Sequence, residues 1–394
     1  MNTPSTPLSV LVAGGGMYVT GKGAKNSKGT ILPALFEARR AGKVGSIAIA
    51  TTNQDSAQEV EALAAALGRE MAVEPGVDVY PKNGTDHQAY LAAADDLEMD
   101  AAIVSVPDHL HAKVCCPLIE RGKHCLVVKP LAGSVEDGRA MCEAARSSGV
   151  VAQVEFHKRL DESNLLLREK VRSGAIGQPL YGVIEYSQRK TVPEDVFRGW
   201  AGQSNIFQYL GVHYVDLLQW ALGYTPVKVS CWGQKAHLAG LGVDTWDAMQ
   251  TVVEWRGPDG VAFISTHITN WIDPNESSAM SDQKINVVGT KGRFQADQKH
   301  RGVQLVTDGQ GVEDLNPYFT LGMFDEQAGG TVYSGYGIDS VIQYIDDVIA
   351  VRSGSVTPGD LEGCRPTFET CLKSTEVVDA ARKSLEQGGI PVGI

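Results

Sequence analysis

Positive charge is what this chain of 394 residues has least of: 35 lysines and arginines face 47 aspartates and glutamates, a net charge of −12. That balance excludes a general electrostatic grip on nucleic acid, which needs a surplus of basic side chains to displace counterions. It also argues against an acidic membrane surface as a partner. Cysteine is sparse, with seven residues, an odd number, and no C-x-x-C spacing. A disulfide framework or a zinc knuckle needs paired spacing, so no metal site is expected and the thiols read as the reduced cysteines of a cytoplasmic protein. Long apolar runs are missing as well. Leu8–Ala13 has no basic residue ahead of it and breaks directly into Gly14-Gly15-Gly16, which suits neither a signal peptide nor a membrane span. With 43% hydrophobic and 21% charged residues, the chain can bury a large core, and its length predicts two or three domains.

Residues 1–152 alternate short β-branched runs with alanine-rich helical patterns, the signature of a parallel α/β sheet of the dinucleotide-binding type. Strands are predicted at Leu8–Ala13, Ser46–Ala50, Ala102–Val106, Cys125–Val128 and Val150–Glu155, and helices at Ile31–Ala41, Ala57–Leu67, Val114–Arg121 and Val135–Ser147. Residues 153–394 read as an α+β domain. After a helix at Ser163–Ser173 come longer strands at Leu180–Gln188, Val227–Gly233, Ala248–Trp255, Val261–Ile268, Lys284–Gly289 and Val303–Thr307. Turns such as Gly257-Pro258-Asp259-Gly260 join them into a mostly antiparallel sheet, and Ile338–Arg352 and Arg365–Gly388 are amphipathic helices.

Three segments carry chemistry. The first is Gly14-Gly15-Gly16 at the end of the first strand, where missing side chains let the backbone approach a pyrophosphate. Val19 stands where a third glycine would complete G-x-G-x-x-G, and residues 17–29 form a long connection carrying Lys22, Lys25 and Lys28. These lysines contact phosphates, fold over a substrate, or are simply solvated. The second strand ends in Ala50-Thr51-Thr52-Asn53, with neither an acid nor an arginine to choose between NAD and NADP; Thr51 or Thr52 is the candidate ribose ligand. The second segment is Pro107-Asp108-His109-Leu110-His111, followed by Lys129-Pro130 closing the next apolar strand. A lysine held at the carboxyl end of a parallel strand and partly desolvated can exchange a proton with a substrate hydroxyl. The third is Gly211–Trp220, in which His213 and Asp216 share a helix face with Tyr209. That set either handles protons, with Asp216 orienting the imidazole, or is a structural His–Asp pair.

Taken together, Pro107–His111, Gly122–Ala132, Glu155–Arg159, Ser173–Gly177 and Gly211–Gly223 resemble, in order and spacing, the Gfo/Idh/MocA oxidoreductase family. The resemblance implies a Rossmann domain at 1–152, a second domain at 153–394 with an open, mostly antiparallel sheet, and a nicotinamide cofactor, NAD slightly favoured over NADP. It implies a sugar or polyol substrate and a homodimer or homotetramer. The family's catalytic lysine falls on Lys129, its histidine on His213, and its following acid on Asp216, with Tyr209 where another acid is often found. Gly14, Gly15, Gly16, Met17, Tyr18, Thr51, Thr52, Asn53, Pro107, His109, His111, Lys129 and Pro130 are the expected cofactor contacts. Lys129, Tyr209, His213, Arg159 and Arg301 are the expected substrate contacts, the two arginines reading an anionic group; Trp271, His300 and Tyr336 are further pocket candidates. The family's E-K-P reads Val128-Lys129-Pro130 here. The expected activity is hydride transfer at a ring hydroxyl. The alternatives are a redox-neutral NAD-dependent glycoside hydrolase, for which Tyr209 would be the extra base, and a non-enzymatic NAD-binding regulator.

Overall fold

The structure, a computed structural model, describes residues 6–23, 27–309 and 311–394. The chain forms two compact units: Met1–His157 with Tyr318–Cys371, and Lys158–Pro317 with Leu372–Ile394. Where the sequence sets a single boundary after residue 152, the chain comes back at Tyr318 to complete the first unit.

The first unit is built on strands β1 (Leu8–Ala13), β2 (Val44–Ala50), β3 (Val77–Tyr80), β4 (Ala101–Val104), β5 (His124–Val128) and β6 (Ala152–Glu155). They form one parallel sheet of order β3-β2-β1-β4-β5-β6. Helices α1 (Ile31–Arg40), α2 (Gln54–Met71), α3 (Ala89–Asp96), α4 (His111–Glu120) and α5 (Val135–Ser148) alternate with the strands. Parallel strands need covered faces, and the continuous apolar runs supply them: Val10, Val12, Ile47, Ile49 and Ile103 are all fully buried. The order reverses between β1 and β4, which opens a crevice at the carboxyl ends of those two strands.

Local chemistry sets the helix ends. Asn53 caps α2 by accepting the Ser56 N–H at 2.9 Å, and Ser134 caps α5 by accepting the Asp137 N–H at 3.1 Å. The later helix Tyr336–Arg352 belongs to this unit and buries Ile338, Val341, Tyr344, Ile345 and Val348 in the same core as Leu32, Leu35 and Phe36 of α1. Each such fully buried side chain contributes about 1.5–3 kcal/mol of transfer free energy. β3 and α3 are absent from the sequence reading, because Val77-Asp78-Val79-Tyr80 is too short for alternation to show and α3 has little amphipathic contrast.

The second unit carries a mixed sheet of order β12-β11-β7-β10-β9-β8, closed at its β8 edge by the two-residue strand Val392–Gly393. Its strands are β7 (Pro179–Arg189), β8 (Thr225–Gln234), β9 (Ala248–Arg256), β10 (Ala262–Asp273), β11 (Ser281–Gly289) and β12 (Arg293–Asp297). All pairs are antiparallel except β7 with β10. Helices α6 (Glu162–Arg172) and α7 (Val212–Leu222) also belong to it. The alternation along β10 is regular: Phe263, Ser265, His267, Thr269 and Trp271 are buried, while Ile264, Ile268 and Ile272 are exposed. Among the described residues, no helix is long and apolar enough to cross a membrane.

Candidate functional site

In the first unit a cavity of about 670 Å³ opens along the crevice, lined by Gly14–Gly16, Lys22, Thr51, Thr52, Ser56, Asp86, His87, Tyr90, Pro107, Leu110 and Lys113, among others. The glycine turn is shaped by what surrounds it. Gly14 has φ +111°, and a Cβ there would stand 2.0 Å from the Ser105 carbonyl oxygen. At Gly15 a Cβ would meet the Val60 side chain at 2.7 Å, whereas at Gly16 nothing lies within 4 Å. The first two glycines therefore let the strands and α2 close up, and the third leaves bare backbone facing open space. This arrangement fits a dinucleotide, whose phosphates need close approach to the main chain and whose bulk matches a cavity of this size.

The ribose end differs in detail from expectation. Thr51 Oγ1 lies 3.0 Å from the Asn53 carbonyl and 3.1 Å from that of Tyr80, so its hydroxyl secures the strand end. Asn53 caps α2, which leaves Thr52 and Ser56 as the candidate ribose hydroxyls on the cavity wall near the end of β2. Lys22 also lines it, with its amine 2.7 Å from Glu59 and 3.3 Å from Ser56 Oγ. Lys28 instead pairs with Glu70 at 2.7 Å, and Lys25 lies outside the described residues. Met17 and Tyr18 begin a single helical turn, Met17–Thr20.

Lys129 closes β5 and is nine-tenths buried. Burial is the main influence on its amine and lowers its pKa to about 8, against the opposing pull of Asp108 and Glu155. His111 is fully enclosed, its Nδ1 2.9 Å from the Pro130 carbonyl and its Nε2 3.1 Å from that of Val106. Burial holds this imidazole below its ordinary pKa, and its ring lies between the turns after β4 and β5. It was expected to touch cofactor, but its ring is used by backbone. His109 is exposed and Pro107 lines the cavity. Glu155 and His157, which as titratable groups the sequence reading passed over, meet beside Ser340 and Tyr18. Only strand register and the return of the chain at Tyr318 bring them together, so no local pattern announces them.

In the second unit, His213 and Asp216 are buried on α7. Asp216 does not stand ready solely for the histidine: its two oxygens accept from Arg159 Nε at 2.8 Å and from a terminal nitrogen at 2.6 Å. Arg301 likewise pairs with Asp161, the N-cap residue of α6. Both arginines expected to read an anionic substrate are thus engaged by buried carboxylates. Tyr209 sits in a π-helical turn, Phe207–Gly211, ahead of α7, so simple α-helical spacing does not relate it to His213. Its ring packs against Phe197, Trp200 and Trp271 at centroid distances of 4.9, 6.0 and 5.8 Å. His300 is exposed and 3.3 Å from Asp314, and Tyr336 stacks on His157 in the first unit.

Residues 20–156 match the family model described as the oxidoreductase family with an NAD-binding Rossmann fold, and residues 165–295 match the Gfo/Idh/MocA C-terminal domain. The chain is 24% identical to a levoglucosan dehydrogenase of Pseudarthrobacter phenanthrenivorans over 317 residues, 73% of this chain and 80% of that one. It is 29% identical to a 1,5-anhydro-D-fructose reductase of Ensifer adhaerens over 230 residues, 56% of this chain and 65% of that one. In fold it is similar to an inositol dehydrogenase homologue from Azotobacter vinelandii, solved with NADH and myo-inositol, at TM-score 0.71 and 17% identity, covering 99% of this chain and 98% of that one. With both of its segments matched in order, the chain belongs to the Gfo/Idh/MocA oxidoreductase family.

Proposed function

We propose that this chain is an NAD-dependent oxidoreductase of a cyclic polyol or sugar, with Lys129 as the group that takes the hydroxyl proton. The observation that carries the reading is a buried lysine at the carboxyl end of a parallel strand, in the domain whose glycine turn fits a dinucleotide. Its pKa of about 8 leaves the amine able to exchange a proton near neutrality, which an exposed lysine does poorly. When bound, a nicotinamide supplies the hydride acceptor. Gly14–Gly16 would hold the diphosphate and Thr52 and Ser56 the adenosine ribose. NAD is preferred because Asp86 lines the cavity and Lys22 is already matched by Glu59, an arrangement unfavourable to a further phosphate.

Once the proton has left, the Lys129 ammonium donates to the forming carbonyl oxygen, where a desolvated cation is most effective. His213 is proposed as a second proton-handling group, steadied by the helix whose Asp216 pairs with Arg159. The relatives' names, a levoglucosan dehydrogenase and a 1,5-anhydro-D-fructose reductase, point to cyclic polyhydroxy compounds. We also propose a homo-oligomer formed through the exposed face of the second unit's sheet.

The test is NADH formation across inositols, levoglucosan and aldoses with the wild-type chain and with Lys129→Ala. Turnover on at least one cyclic polyol is expected, falling by about 10²-fold or more without the lysine. Undiminished turnover in Lys129→Ala would remove the proposed proton acceptor.

A further inference from the structure

The end of β6 carries a buried acid that the steps above leave unused. Glu155 is 1% exposed and stands in parallel register beside Val128, the residue before Lys129. Lys129 follows directly on that register partner, so the acid and the lysine stand at the carboxyl ends of two neighbouring parallel strands, both buried. Its carboxylate is fixed from two directions. Ser340 Oγ donates to it at 2.6 Å, and His157 Nδ1 lies 3.0 and 3.1 Å from its two oxygens. His157 is itself held, stacked on Tyr336 at 5.7 Å and 20° and packed against Phe319 at 5.1 Å. The Tyr18 hydroxyl is 3.2 Å from the same nitrogen. Removing a carboxylate from water is costly unless its charge is matched, and besides the His157 ring in contact with it, the Lys129 amine feels its charge.

We propose that Glu155, clamped by Ser340 and His157, is the positioning residue for Lys129, fixing where its amine points and strengthening it as a proton acceptor. This rests on Lys129 being the proton acceptor. The other groups around the pair are Asp108 in the turn after β4, Tyr18 after the glycine turn, and Tyr336 and Ser340 on the helix Tyr336–Arg352. Asp108 acts on Lys129 in the same sense as Glu155. Tyr18 is raised well above the ordinary phenol value, first by burial and then by Glu155, so it remains a neutral hydroxyl. Burial alone would strip the proton from Lys129 at a lower pH; the two acids offset part of that penalty.

The experiment titrates Lys129 directly, following its Nζ and Cε resonances in the full-length, isotopically lysine-labelled protein, assigned by comparison with Lys129→Arg. Glu155→Gln removes a negative charge, and its titration is expected to fall by about one pH unit. Ser340→Ala removes a donor from the carboxylate and leaves more of its charge for the lysine, so the titration is expected to rise by roughly a few tenths of a unit. The ascending limb of kcat/KM against pH moves with each titration. Opposite shifts from the two variants are not what a merely structural role produces. Unchanged titrations, or shifts in one common direction, would overturn the proposal. If Glu155→Gln does not fold, Ser340→Ala decides alone: a rise supports it and no change overturns it. The resonances report whether or not any polyol is turned over. Opposite shifts without turnover by the wild type would therefore sink the functional reading and leave the Glu155–Lys129 coupling standing.

Discussion

At the scale of single residues, the sign of the Lys129 shift makes a definite statement about pH. A proton acceptor must be the neutral amine, and the neutral fraction grows tenfold per pH unit below the pKa and levels above it. With the pKa lowered to about 8, kcat/KM for polyol oxidation should climb up to that pH and flatten, whereas an unburied lysine would go on climbing to ~10.4. A profile measured in saturating NAD from pH 6 to 10 checks this, and a limb that stays linear beyond pH 9 contradicts it. Arg159 supports a different kind of prediction. Its side chain and that of Asp216 are 6% and 2% exposed, so removing one partner strands a charge. Arg159→Ala is expected to lose about 3–5 kcal/mol of stability, with equal effects on neutral and anionic substrates. A selective loss on anionic sugars, in a variant with an unchanged Tm, would restore the arginine as a substrate reader. Lys129 is legible in the sequence because a lysine closing an apolar strand is out of place there. Glu155 is not, since its meaning depends on a register with Val128 that no local pattern encodes.

At the scale of elements, the strand–turn–helix at residues 8–20 separates packing from binding. Gly14 takes a left-handed φ and its Cβ position is filled by backbone, while Gly16 has φ −78° and faces open space. Gly14→Ala should therefore destabilise the fold by more than about 2 kcal/mol, through strain and overlap combined. Gly16→Ala should leave the Tm unchanged and weaken NADH binding, read by fluorescence titration, because it puts a methyl group on the wall where the diphosphate is proposed to lie. Equal NADH affinity in Gly16→Ala and the wild type would remove the glycine turn from the cofactor site. The parallel strands and their helices were legible here because buried β-branched runs and alanine-rich stripes are strong periodic signals. The π-helical turn at Phe207–Gly211 was not. One inserted residue changes which side chains share a face, and Tyr209, read on α-helical spacing with His213, sits inside that turn. Its place among Phe197, Trp200 and Trp271 gives it a packing role that spacing alone did not suggest.

At the scale of the whole molecule, chain order and spatial membership diverge. Tyr318–Cys371 completes the first unit, and its helix Tyr336–Arg352 reads from sequence as amphipathic without saying which core it joins. Periodicity identifies a buried stripe but not the surface that buries it. The same reasoning bears on the face that remains uncovered. In the second unit, Tyr181 on β7, Ile264, Ile268 and Ile272 on β10 and Trp232 on β8 are 37–47% exposed, on one sheet in which β10 adjoins β7 and β9 separates it from β8. Isoleucines stand at every fourth position of β10, with Thr266 and Asn270 between them, on the side away from Phe263, Ser265 and His267, and there they meet solvent. The isoleucine row is bordered in register by Tyr181 and Glu185 on β7 and by Gln250 and Glu254 on β9, a mixed apolar and polar face of the kind found at subunit contacts, and a self-complementary sheet face is a simple way for two copies to close a symmetric contact. The wild-type chain is therefore expected to run as a dimer or tetramer in light scattering coupled to size exclusion. The pair Ile264→Glu and Ile268→Glu should lower that order, since burying two carboxylates opposite their symmetry mates costs far more than a dimer contact can offset. Phe263, Ser265 and His267 on the other face are untouched by these changes, so circular dichroism should be unaltered. A wild-type monomer at micromolar concentration, or a double variant with unchanged mass, would show that this face is not the contact.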